Sequence, residues 1–248
     1  MQATSPSSDS EVLDLSGRQL TSIPAEVWRR ASLKTLNLYR NDLTAIPAEI
    51  ARLTSLEVLI VANNRLTSLP EEIGSLQRLR MLDAGHNQIA QLPKSFGNLA
   101  GLSDCLYLHD NQIRRLEDSV FERFVNLRYL NLGDNPLMEL PASIGALPAL
   151  EELRLENVGL QELPDSIGNL TQVDELALRN NRLEQLPETL AHLQNLTRID
   201  LRGNRFKQFP EALRQVPALR KIDLRWNEVV VPEEVAAEFA ARRCRVLV

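Results

Sequence analysis

Apolar residues recur along the chain in a fixed frame of 23 positions, Leu-x-x-Leu-x-Leu-x-x-Asn-x-Leu-x-x-Leu-Pro-x-x-Ile-x-x-Leu-x-x, with clear copies starting at Leu33, Leu56, Leu79, Leu127, Leu150, Val173 and Leu196. A unit this short is too thin to hide its own apolar side, so the repetition predicts stacked turns that share one continuous core. In the copy at Leu33, the spacing Leu36-x-Leu38 has the period of two of a strand, which sends both side chains inward and Thr35, Asn37 and Tyr39 outward. Ile46, Ile50 and Leu53 then change to helical spacing, which predicts a short helix or 3-10 turn on the return path. Stacking these units places all the strands in one parallel sheet on one side and all the helical turns on the other.

Two further slots sharpen the picture. Pro24, Pro47, Pro70, Pro93, Pro141, Pro164, Pro187, Pro210 and Pro232 each follow an apolar residue at the corner, and a fixed φ suits proline to the first position of a helical turn. Asn41, Asn64, Asn87, Asn111, Asn135, Asn181, Asn204 and Asn227 stand between apolar flanks where the chain turns inward. Burying an amide is costly unless its hydrogen bonds are met, so these residues are expected to bond to backbone groups of their own and neighbouring turns as a structural ladder.

With these residues in view, the chain from about Ser10 to Asn227 resembles the leucine-rich repeat proteins. The Leu-Pro-x-x-Ile corner is similar to the intracellular Ras-group and Scribble-like 23-residue class and to many bacterial members. The resemblance implies an α/β fold, a leucine-rich repeat solenoid or horseshoe of about ten repeats, with the parallel sheet on the concave face and short helices or 3-10 turns on the convex face. It also implies a protein-binding module, without naming a partner.

Departures from the frame give the expected boundaries. Residues 1–9 are polar and Ser-rich and read as a disordered tail; 10–248 read as a single repeat domain, closed by a helix and strand over 232–248. The first copy has Arg18 in the Asn slot, and almost nothing precedes it, so Val12 to Leu15 should form an exposed edge that the tail, a partner or a longer upstream cap shields. The interval from Leu102 to Asn126 is longer and lacks the corner proline, with Phe121 and Phe124 placed to fill the convex side. Val158 replaces the ladder Asn in the sixth copy, where Gly159 permits an altered turn and the backbone needs other partners.

Composition narrows the function. A formal charge of -5 argues against a general electrostatic footprint for nucleic acid. No signal-peptide pattern and no long apolar run suited to a membrane is present. Cys105 and Cys244 lie several repeats apart and are not expected to pair, which favours a reducing compartment.

The outward strand residues of successive repeats form columns about 4.8 Å apart. Tyr39, Tyr107 and Tyr129, all the tyrosines in the chain, fall in those columns with Ile60, Met81, His86, His109 and Trp226. Aromatic and soft apolar groups of this kind form interface cores. Farther along, Glu151, Glu152, Glu156, Asp174 and Glu175 give way to Arg179, Arg198, Arg202, Arg220, Lys221 and Arg225, with Arg154 ahead of them. These charges either neutralise one another or meet a complementary partner. His86, His109, Asp110 and Asp134 occupy neighbouring turns and suggest a metal site, but parallel columns tend to splay ligands that must converge at about 2.1 Å. No catalytic residue, metal or cofactor is therefore assigned.

The expectation is a cytoplasmic, non-enzymatic scaffold, its oligomeric state left open with a monomer favoured, that binds a protein partner through Tyr39, Ile60, Met81, His86, Tyr107, His109, Tyr129, Arg154, Arg179, Arg202, Arg225 and Trp226. The alternative is a bacterial effector secreted into a host cell, or the substrate-recruiting module of a larger enzyme such as a ubiquitin ligase.

Overall fold

The computed structural model describes residues 10–248; the tail expected over 1–9 lies outside the described residues. Eleven three-residue strands, β1 (Val12–Asp14), β2 (Thr35–Asn37), β3 (Val58–Ile60), β4 (Met81–Asp83), β5 (Cys105–Tyr107), β6 (Tyr129–Asn131), β7 (Glu152–Arg154), β8 (Glu175–Ala177), β9 (Arg198–Asp200), β10 (Lys221–Asp223) and β11 (Arg245–Leu247), form one parallel sheet in chain order. This is the concave wall of a leucine-rich repeat solenoid. The central residue of each strand from Leu36 to Ile222 points into the core and is fully buried or nearly so. Register advances by one frame at each step, with one extra residue between Met81 and Cys105, another between Cys105 and Tyr129, and a third between Lys221 and Arg245.

The ladder asparagines make that register rigid. Asn64 accepts the Leu43 N–H at 3.0 Å, and its amide nitrogen donates to the carbonyls of Leu38 at 3.0 Å and Val61 at 2.9 Å. One side chain thus joins two turns, and the same set recurs at Asn87, Asn111, Asn135, Asn181, Asn204 and Asn227. The residue before each ladder position is left-handed: Arg40, Asn63, His86, Asp110, Asp134, Asn180 and Trp226 all have positive φ. At Val158, which is buried and offers no amide, the expected substitute partners are present. The Leu137 N–H donates to the Asn135 carbonyl at 2.9 Å, and Met138 at φ 67 donates to the Val158 carbonyl at 3.0 Å.

On the convex side, five-residue 3-10 helices such as Ala48–Arg52 begin one residue after the corner proline. This corrects the sequence reading. Pro47 is the capping residue, extended at φ -78 and ψ 162, and its carbonyl accepts the Ile50 N–H at 3.1 Å. No such helix is found between β5 and β6 among the described residues. There Phe121 and Phe124 fill the core beside Phe96, with ring centroids 6.2 and 6.1 Å from Phe124. Glu71, at the start of one 3-10 turn, reaches the next one and accepts the N–H groups of Lys94 at 3.1 Å and Ser95 at 2.9 Å.

At one end, helix α1 (Glu233–Ala241) packs Phe239 against Phe209 at 5.4 Å, and β11 pairs with β10. At the other, Leu13 and Leu15 are buried while Val12 is 55% exposed.

Leu132 is fully buried. Leu132→Ala is expected to lower the unfolding free energy by about 2–5 kcal/mol, read from the denaturant midpoint. A Cβ at Gly101, within the lengthened repeat, would run into the Gln77 carbonyl. Gly101→Ala should therefore also reduce the midpoint.

Candidate protein-binding face

The register sorts the outward residues into columns. Val58, Met81, Cys105, Tyr129, Glu152, Glu175, Arg198 and Lys221 share the first. Asn37, Ile60, Asp83, Tyr107, Asn131, Arg154, Ala177, Asp200 and Asp223 share the second. Tyr39, His109, Arg179, Arg202 and Arg225 lie two residues beyond that, and His86 and Trp226 lie one further, in the left-handed turns rather than on the strands.

The second column has a backbone task that the sequence reading missed. Asn37, Asp83, Asn131 and Asp200 each accept the N–H two residues on, at 3.0 to 3.1 Å, a local turn bond typical of these side chains. Ile60, Arg154 and Ala177 have no acceptor to offer there.

Tyr107 and Tyr129 pack with centroids 5.0 Å apart, and Tyr107 lies 6.1 Å from the His109 ring. Met81 and Cys105 adjoin them in register. Burial raises the Tyr107 hydroxyl pKa and pushes that of Tyr129 up to about 12, so both rings stay neutral. The Arg154 guanidinium sits 5.7 Å from the Tyr129 centroid and is held by Glu152 at 2.6 Å. Tyr39, 42% exposed, stands apart from this cluster, beyond Ala62 and Gly85 in its column.

The two histidines meet. His86 Nδ1 is 2.5 Å from Asp110 Oδ2, and its Nε2 is 3.3 Å from His109 Nε2, with the rings at 81°. The His109 ring lies over Gly85, where a Cβ would collide with it, and its Nδ1 is buried with no hydrogen-bond partner. Burial, reinforced by His86, holds the His109 pKa below 6.5. Burial also raises the Asp83 carboxyl pKa in the same region. Asp134 is not part of this group; it accepts from the Asn157 amide at 2.8 Å. Among the described residues, no group of three or more His, Cys, Asp or Glu is arranged to hold a metal ion.

The charged half is largely self-neutralised. Arg202 grips Asp200 at 2.5 Å, Arg225 grips Asp223 at 2.8 Å, and Arg198 meets Glu175 at 2.6 Å. Asp223 is only 1% exposed; burial opposes its charge, but the Arg225 hydrogen bonds and Arg202 outweigh it and hold its pKa below the usual carboxylate range. Arg202 and Arg225 flank the Trp226 ring at 5.6 and 5.9 Å. That indole is 68% exposed at φ 63, a rare conformation for a bulky residue. Arg179 has no ion pair among the described residues, and its Nε is buried without a partner. Cys105 and Cys244 are both free thiols.

The leucine-rich repeat region family matches residues 102–241, and two further leucine-rich repeat families match 11–66 and 54–101. The chain belongs to the leucine-rich repeat family. Members of this repeat family are commonly protein-interaction modules and generally non-enzymatic. Among solved structures, a leucine-rich repeat protein of Leptospira interrogans is 33% identical with a TM-score of 0.88, over 94% of this chain and 59% of that one. The plant peptide hormone receptor RGFR1 in complex with RGF2 is 28% identical with a TM-score of 0.79, over 95% of this chain and 43% of the receptor. The functional domain of InlJ from Listeria monocytogenes, at 20% identity, shares the fold with a TM-score of 0.65, over 88% of this chain and 49% of that one. This repeat chain thus spans less than two thirds of each of these proteins. A search of curated proteins finds no match. No helix among the described residues is long and apolar enough to cross a membrane.

Because folding makes His109 harder to protonate, the unfolded chain takes up more protons as pH falls below 6.5, and stability declines there. His109→Gln should flatten that decline, measured by denaturant unfolding on either side of pH 6.5.

Proposed function

We propose that the protein is a non-enzymatic scaffold that binds a protein partner on its concave face, centred on Met81, Tyr107, His109 and Tyr129. Ile60 and Tyr39 flank that centre on one side and Arg154 on the other. The observation that carries this reading is the packed pair of half-buried tyrosines, 5.0 Å apart on the sheet's outer surface. Such rings supply large contact area at small entropic cost, and central aromatic anchors dominate interface energies. Ile60 and Arg154 add support, because each occupies a column position where Asn or Asp would secure the backbone.

Arg179, Arg202, Arg225 and Trp226 form a second, more polar contact zone. Their charges are mostly committed to Asp200 and Asp223, so they favour partner discrimination over affinity. His86 lies at the rim. The free thiols Cys105 and Cys244 support a reducing, cytoplasmic setting, and the likeness to the Leptospira protein supports a bacterial one.

A pull-down with wild-type and Tyr107→Ala/Tyr129→Ala bait tests the assignment. The double variant is expected to lose the captured protein while its thermal unfolding changes little. Equal capture by both baits removes the face from consideration.

A further inference from the structure

We infer that His86 and His109 together bind a divalent cation of the zinc class, with the Asp110 carboxylate orienting the first of them. The Nε2 atoms lie 3.3 Å apart. The two atoms are within hydrogen-bond reach of each other, and their separation is also about the distance between two nitrogens on a tetrahedral ion with bonds of about 2.0–2.1 Å. Imidazole nitrogens suit zinc, copper and nickel.

Three local features build the pair. His86 sits in the left-handed turn after β4, at φ 52, which takes it out of the strand columns and brings its ring to that of His109 in the next turn. Position 85 is glycine, and any Cβ there would occupy the space of the His109 ring. Asp110 Oδ2 lies 2.5 Å from His86 Nδ1, so the ring proton is held on that side and Nε2 is left with its lone pair. A carboxylate behind a ligating histidine is the usual means of fixing its tautomer and raising its basicity. Asp83, Asp110 and Asp134 add negative charge around the pair without being ligands.

Parallel columns do splay side chains, which is why the sequence pattern argued against such a site; the turn at His86 removes that obstacle. Among the described residues no third protein ligand converges, so water completes the coordination and the ion exchanges readily. The site shares His109 with the proposed docking centre and adjoins Tyr107 through it, but it is tested on the protein alone.

The test uses the purified full chain, titrated with ZnCl2 by calorimetry and with CoCl2 by visible absorption. Saturable one-to-one uptake is expected, with Zn²⁺ displacing Co²⁺. His86→Asn, which the left-handed turn accommodates, and His109→Asn should each abolish saturation, with circular dichroism unchanged. Asp110→Asn should weaken binding by about 10-fold or more. His192→Asn, which alters the one other histidine, on the convex side, should leave the isotherm as in wild type. Absence of saturable uptake by the wild-type chain, or uptake that persists in His86→Asn, overturns the site. Because the reading is taken on the protein alone, it can fail while the pull-down succeeds, and the reverse.

Discussion

The architecture depends on a buried amide that must find its bonds in two adjacent turns at once. Each ladder asparagine accepts from the previous turn and donates to a carbonyl in each of the two turns. Because an unpaired buried amide is costly, a turn cannot slide against its neighbour without losing several bonds together. The aligned leucines supply the drive to stack, and the amides decide the register. Val158 shows the constraint from the other side. Without the amide, the chain needs a second left-handed residue, Met138, to place its N–H on the Val158 carbonyl.

A locked register gives the concave face its columns, and the columns separate structural from available positions. Asn and Asp in the second column are occupied with the backbone of their own turn. Tyr107 interrupts that series and packs on Tyr129 from the column beside it. The surface therefore divides into an aromatic centre around Tyr107 and Tyr129 and an arginine-rich zone in which Arg202 and Arg225 are already paired with Asp200 and Asp223, two residues earlier. Desolvating the first is favourable, whereas desolvating those pairs means giving up bonds already made, so in the proposed docking role affinity would rest mainly on the tyrosines and orientation mainly on the arginines.

The turns that aim the asparagines inward also shape the edge of the face. Every one of them holds a left-handed residue, and the positions most tolerant of that conformation are Asn, Asp and Gly. His86 and Trp226 occupy the same turn position as Asn63 and Asn180. Two bulky side chains are thereby displayed at the rim, one against His109 and the other between two arginines.

The apolar frame by itself determined the solenoid, the inward leucines, the amide ladder, the convex phenylalanines near Phe121 and the helix and strand at the C-terminal end, because each follows from local spacing repeated many times. It also placed Tyr107 and Tyr129 on the outer surface, since a period of two assigns a strand face. The left-handed turn was readable in principle from the Asn, Asp and Gly that precede most ladder positions, yet His86 and Trp226 hid it. Tertiary structure alone decided which columns touch: that Tyr39 stands apart from the other tyrosines, that Asp110 bonds His86 while Asp134 turns to Asn157, and that Glu71 caps the turn after its own. Those outcomes depend on distances between side chains in different turns, which register and turn geometry set and which spacing within one repeat does not contain.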